Sequence, residues 1–215
     1  MSIFPLGRRS LKILFGWKFY NFPPPIQNEK RIINDYGFDN SKGKGYNEYL
    51  MLKLGLEQSE TLRGSTHFLK LTGRYPMLNI RGMLKEMESR GKDKLMMLDV
   101  KEFGLYEKLR GTSYGSRWGD SRFFLMSVEF YRKHLIDCYQ EMDDRVYGNF
   151  AEDYLYRLSV KYRKNKACSF RFRHQVQFGG QSGDACFDEH YASFQNQCKN
   201  KLRRLLRILF PNIWF

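Results

Sequence analysis

The 215-residue sequence predicts an α/β sandwich, and two observations predict it. Stretches with apolar residues at helical spacing alternate with short apolar runs of strand length, and no internal repeat or low-complexity tract interrupts them. The apolar fraction, 42 %, together with many aromatics, is enough to build a sizeable core and speaks against disorder.

Between Glu48 and Glu57, Leu50, Met51 and Leu54, with Tyr49 beside them, recur at helical spacing and predict an amphipathic helix. Phe68–Leu71 then reads as a strand. Met83–Arg90 mixes Leu84 and Met87 with charges as a second helix, and Leu95–Val100 reads as a short buried strand. A further strand is expected at Phe123–Met126, immediately after Asp120-Ser121-Arg122. Phe130–Met142 and Asn149–Tyr162 carry apolar residues at i, i+3 and i+4 and are the strongest helix predictions. Phe170-Arg171-Phe172-Arg173 alternates with period two, as a strand with one buried face does.

Three regions are expected. Residues 1–25 form a basic leader that ends in Pro23-Pro24-Pro25, whose fixed φ and missing donors keep the chain extended. Residues 26–198 form the main domain, and 199–215 a basic amphipathic helix with an aromatic tail. In that last helix Leu202, Leu205, Leu206 and Leu209 share one face, while Lys199, Lys201, Arg203, Arg204 and Arg207 fill the rest, a pattern suited to an anionic membrane surface. Phe210, Trp214 and Phe215 suit the headgroup boundary.

Lysine and arginine total 37 against 23 acidic residues, a net charge of +14 that points to negatively charged partners: lipid, nucleic acid or nucleotide phosphate. Cys138, Cys168, Cys186 and Cys198 lie far apart without a Cys-x-x-Cys pair, so reduced thiols in a cytoplasmic compartment are expected. Cys186, His190, His174 and Cys198 match no common zinc spacing. No apolar run is long enough to span a bilayer. Arg8-Arg9 resembles a twin-arginine signal, but no adequate hydrophobic region follows and export is not expected.

Lys70-Leu71-Thr72-Gly73-Arg74-Tyr75 follows a strand with a glycine turn between two cations. The glycine allows close backbone approach to a phosphate, and Lys70 and Arg74 supply a point charge and a planar fork. This segment resembles the Lys-x-x-Gly-Arg-Tyr motif of a family of bacterial glycosyltransferases of surface-polysaccharide synthesis. The likeness continues in order along the chain from about Tyr36 to Tyr191. Asn40–Glu48 is similar to the family's Asn-Lys-Gly-Lys-Gly-x-x-Glu loop, and Gly119-Asp120-Ser121-Arg122-Phe123-Phe124 to its Asp-Ser/Thr-Arg-Phe-Phe element. Ala151–Tyr156 is similar to its Glu-His-x-x-Tyr helix, and Gly179-Gly180-Gln181-Ser182-Gly183 to its Gly-x-Ser-Gly turn.

The resemblance implies an A-type nucleotide-sugar fold, a mixed sheet with flanking helices. The basic leader stands where the first nucleotide-binding unit is usual, so that unit is expected to be incomplete. It implies a hexosyl- or other glycosyltransferase that moves sugar from a nucleotide-sugar donor to a glycan or lipid-linked acceptor of lipopolysaccharide or capsule. The expected location is cytoplasmic, peripheral on the inner face of the plasma membrane. Donor-phosphate contacts fall on Lys42, Lys44, Lys70, Gly73, Arg74 and Arg122. Asp120 and Glu152 (or Asp153) are the expected catalytic acids, both partly exposed in a cleft, with Ser182 and Gly183 on the acceptor side. Asp120 is a candidate ligand for a divalent cation, Mg or Mn, although no Asp-x-Asp pair precedes it and Asp143-Asp144 reads as a turn feature.

Two alternatives stand beside this. A nucleic-acid binder is suggested by Lys161–Lys166 and the Phe170–Arg173 alternation of aromatics and cations. An inactive scaffold of a polysaccharide assembly complex is the other.

Overall fold

The computed structural model describes residues 13–17, 38–39, 41–59, 62, 64–72, 77–102, 117–178 and 194–210. The order is β1 (Ile13–Trp17), α1 (Lys44–Gln58), β2 (His67–Leu71), α2 (Ile80–Arg90), β3 (Met96–Glu102) and β4 (Arg117–Ser127). There follow α3 (Val128–His134), a 3-10 turn (Cys138–Glu141), α4 (Ala151–Lys161), β5 (Cys168–Ser169) and α5 (Phe194–Leu209). The strands form one mixed sheet in the order β1-β2-β4-β3-β5. Every neighbouring pair is antiparallel except β3 and β5. β2 and β3 therefore run the same way with β4 between them and α2 as the crossover, a split βαβ unit.

Strand alternation divides the core between the two faces. Phe68, Met96, Leu98, Phe124 and Met126 meet Tyr49, Leu52 and Leu56 of α1 and Leu155 of α4. On the other face Leu69, Met97, Phe123 and Leu125 meet Met83 and Met87 of α2 and the chain at Phe172–Phe178. Helices thus flank both faces. Among the described residues no helix is long and apolar enough to cross a membrane.

The expected helix at 130–142 stops at His134. Ser127 Oγ accepts the Phe130 N–H at 3.0 Å and caps α3, but Leu135 leaves helical geometry (φ −131°). Leu135, Cys138 and Met142 are all buried in the same core. Their spacing is that of a helix face, so the apolar pattern does not distinguish a helix from a turn followed by a 3-10 turn.

Phe170–Arg173 also differs from expectation. Only Cys168–Ser169 pairs as β5, and Phe170, Arg171 and Phe172 are all buried. The two phenylalanines enter opposite cores. Phe170, Arg171 and Phe172 are therefore packing groups, whereas Arg173 and the basic run Lys161, Arg163, Lys164 and Lys166 are exposed. Glu86 of α2 holds the next turn, accepting the N–H of Arg173 (2.6 Å) and of His174 (3.1 Å) and pairing with Arg90.

Ile13–Trp17, inside the stretch expected as a separate leader, pairs with β2 as the sheet's edge. Pro23–Pro25, Gly73, Arg74, Ser182, Gly183, Cys186 and His190 lie outside the described residues.

The β3–β4 register breaks where the site forms. Leu98 faces Phe124 and Val100 faces Gly119, so Asp99 alone opposes Asp120–Phe123. Such a bulge re-aims side chains. At its edge Gly119 lies against α4, and a Cβ there would come 2.7 Å from Leu155 Cβ. Gly119→Ala is expected to lower stability by about 1–3 kcal/mol through overpacking, measured by denaturant midpoint; an unchanged midpoint would show that α4 moves freely on the sheet.

Candidate functional site

The site begins with Lys70. It lies in β2 on the face covered by α1 and α4, and its side chain has no exposure. A buried ammonium needs acceptors. Glu48, in the first turns of α1, pairs with Nζ at 2.7 Å, and the Ser121 carbonyl of β4 accepts a second, short hydrogen bond. The Phe124 ring lies 5.8 Å from Nζ.

The Ser121 hydroxyl donates to Glu152 Oε1 at 2.5 Å. Its two flanking residues point to each other: Arg122 Nε and Nη2 donate to the Asp120 carboxylate at 2.9 and 2.8 Å, and the Arg122 N–H adds a third bond at 3.0 Å. Arg122 lies 4.7 Å over the Phe178 ring and keeps 35 % of its side chain exposed. Glu48, Lys70, Asp120–Arg122 and Glu152, far apart in sequence, thus join one cluster at the carboxyl ends of β2 and β3, where α/β sheets place ligands.

The two expected catalytic acids sit in different environments. Asp120 is 3 % exposed, not partly open as the sequence predicts. Burial alone would raise its carboxyl, but the hydrogen bonds and charge of Arg122 outweigh that and hold it below the usual carboxylate range. Glu152 is half-buried. Burial raises its carboxyl, the Ser121 hydrogen bond opposes the rise, and the charges of Glu48 and Asp120 add to it. One carboxylate is held ionised and its neighbour is biased toward binding a proton. Asp153, the other candidate base, instead caps α4 by accepting the Phe150 N–H at 3.3 Å.

Lys42 and Lys44 flank Gly43, whose φ is +94°. The loop folds around Asp144: its carboxylate accepts the Lys44 N–H at 2.5 Å, and its own N–H donates to the Lys42 carbonyl at 2.9 Å. A side chain at Gly43 would collide with that carboxylate as well as strain the backbone. Buried Asn47 braces the loop by donating to the carbonyls of Gly43 (2.8 Å) and Asp39 (2.9 Å). The start of α1 thus already carries an acid, placed by the Asp143-Asp144 turn. Lys44 is exposed, and Lys42 lies 4.6 Å over the Tyr46 ring. Of the expected phosphate contacts, Lys70 is engaged with Glu48 and Arg122 with Asp120, while Lys42 and Lys44 present their charge nearer the surface.

Among the described residues no group of three His, Cys, Asp or Glu side chains is placed to hold a metal ion. Both Asp120 oxygens are bonded to Arg122, so Asp120 as it stands does not fit a divalent-cation ligand. Cys138 and Cys168 are buried free thiols.

Sequence reasoning did not find Ser121 as the link between Lys70 and Glu152 or Asp144 as the partner of the α1 N-terminus. A lone lysine in an apolar strand was the available signal for a buried partner. Comparison with protein-family models, with curated proteins and with solved structures finds no match.

The two acids give opposite pH signatures. A carboxyl raised in the fold costs stability as pH climbs from its unfolded value through the raised one. A depressed carboxyl contributes stability that is lost as pH falls through the depressed value. Glu152→Gln is therefore expected to melt no lower than the parent protein at neutral pH, with any advantage vanishing in acid. Asp120→Asn is expected to cost about 1–3 kcal/mol at neutral pH, less than a fully buried broken pair because Arg122 reaches solvent, and to converge with the parent in acid. Thermal melts across pH check both, and the same sign for both variants would contradict the assigned environments.

Proposed function

We propose that the chain is a glycosyltransferase that uses a nucleotide-sugar donor and a glycan or lipid-linked acceptor of surface-polysaccharide synthesis, on an A-type nucleotide-sugar fold. One observation carries this reading. Four segments that resemble the family's motifs and contain Glu48, Lys70, Asp120–Arg122 and Glu152 meet through direct hydrogen bonds and ion pairs. Unrelated surface motifs have no reason to converge in this way.

In this reading Glu152 is the base. It accepts the proton of the acceptor hydroxyl as that oxygen bonds to the anomeric carbon and the bond from that carbon to the diphosphate oxygen breaks. A carboxyl whose affinity for protons is raised by burial suits the task. The departing diphosphate gathers negative charge, and in this reading the exposed part of Arg122 and the surface cations Lys42 and Lys44 would offset it, with Arg74 as the sequence expects. Lys70 acts here by holding Glu48 and the Ser121 carbonyl in position. Its charge is matched by Glu48 and is not directed at the donor.

Calorimetric titration with uridine and guanosine diphosphates is expected to show at least one bound about tenfold more tightly than its nucleoside, a difference of ~1.4 kcal/mol. Glu152→Gln should keep that binding and lose about 10²–10⁴-fold in sugar transfer. A folded protein that binds no nucleoside diphosphate, or a Glu152→Gln variant that transfers sugar at the parent rate, would overturn the assignment.

A further inference from the structure

Helix α5 turns one of its cations inward. The sequence places Arg207 among the solvated cations of an amphipathic helix, yet Arg207 is 4 % exposed and its partner Asp99 2 %. Its guanidinium makes a two-pronged pair with Asp99, Nη1 to Oδ1 and Nη2 to Oδ2, both at 2.9 Å, and Nη1 also donates to the Phe172 carbonyl at 3.2 Å. Asp99 is the single β3 residue opposite the β4 bulge, and it lies on the face away from Lys70.

This buried pair fixes the rotation of α5 about its own axis. With Arg207 turned inward, Leu202, Leu205, Ile208, Leu209 and the adjoining Phe210 are left 47–59 % exposed. Soluble surfaces rarely keep such a contiguous apolar stripe uncovered. Lys201 and Arg204 are exposed on the same helix, and its sequence contains no acidic residue. An apolar stripe beside exposed cations, on a helix without an acidic residue, matches an anionic lipid surface, where acyl chains take up the leucines and headgroups meet the charges. A second copy of the chain would bring two such cationic helices together against their mutual repulsion.

We propose that the Asp99–Arg207 pair is a latch that holds α5 with its leucine stripe outward, and that this stripe docks the protein on anionic membrane. The inference goes beyond the sugar-transfer reading and does not depend on it, because no residue of the Lys70 cluster takes part.

Sedimentation of the full chain with phosphatidylcholine vesicles, with and without phosphatidylserine, tests the docking. Affinity is expected to be roughly 25-fold higher on the anionic vesicles, about fivefold each for Lys201 and Arg204, and to weaken with salt. Leu205→Glu with Leu209→Glu should abolish binding while leaving the melt unchanged, since both side chains are exposed. Equal binding to both vesicles, binding that survives the double substitution, or no binding overturns the docking. So does a dimer that the same substitution dissolves. For the latch, Arg207→Gln should remove hydrogen-exchange protection from the amides of 199–209. Unchanged protection overturns the latch, and strand-by-strand protection elsewhere separates local release from global unfolding.

Discussion

A lysine ammonium enclosed in the sheet is the constraint around which this structure is arranged. Desolvating an unpaired ammonium costs several kcal/mol even after relaxation, so Lys70 is tolerable only while its acceptors stay in place. Those acceptors come from different elements. Glu48 ties α1 to β2, and the Ser121 carbonyl ties the bulged part of β4 to the same point. Because the Ser121 hydroxyl then reaches Glu152, the start of α4 is positioned by the same group. The Lys70 charge therefore acts on the geometry of the neighbouring carboxylates more than on any ligand directly.

The bulge in β4 serves both faces of the sheet. On one face Ser121 turns toward α4 and Glu152, while the flanking Asp120 and Arg122 pair with each other and Arg122 stacks on Phe178 of the opposite core. On the other, Asp99 stands opposite it and receives Arg207. Buried pairs of this kind add little net stability over apolar packing, and their use here fits a role in specifying which element meets which.

Much of this was legible in the sequence where periodicity was strong. The helices at Glu48–Glu57, Met83–Arg90 and Asn149–Tyr162 and the strands at Phe68–Leu71 and Leu95–Val100 lie within a few residues of α1, α2, α4, β2 and β3. The break after His134 was not legible, because Leu135, Cys138 and Met142 keep helical spacing through a turn. The burial of Arg171 and Arg207 was not legible either. A cation in an alternating or amphipathic pattern reads as solvated unless its acidic partner is known, and Asp99 lies far away in sequence. For the candidate site, the residue types at Asp120 and Glu152 were visible, but their opposite environments come from Arg122 and Ser121, which only tertiary contact supplies. The antiparallel placing of β4 between β2 and β3 depends on strand order, which local pattern does not encode.

The claim that Lys70 organises the site through its acceptors is tested most directly by a double-mutant cycle at Lys70 and Glu48, measured by denaturant unfolding. Lys70→Met and Glu48→Gln should each destabilise by leaving a charge or its partner uncompensated. The double variant should cost less than the sum, with a coupling of about 2 kcal/mol or more. Additivity to within about 0.5 kcal/mol would show that the two side chains act independently, and would contradict this account.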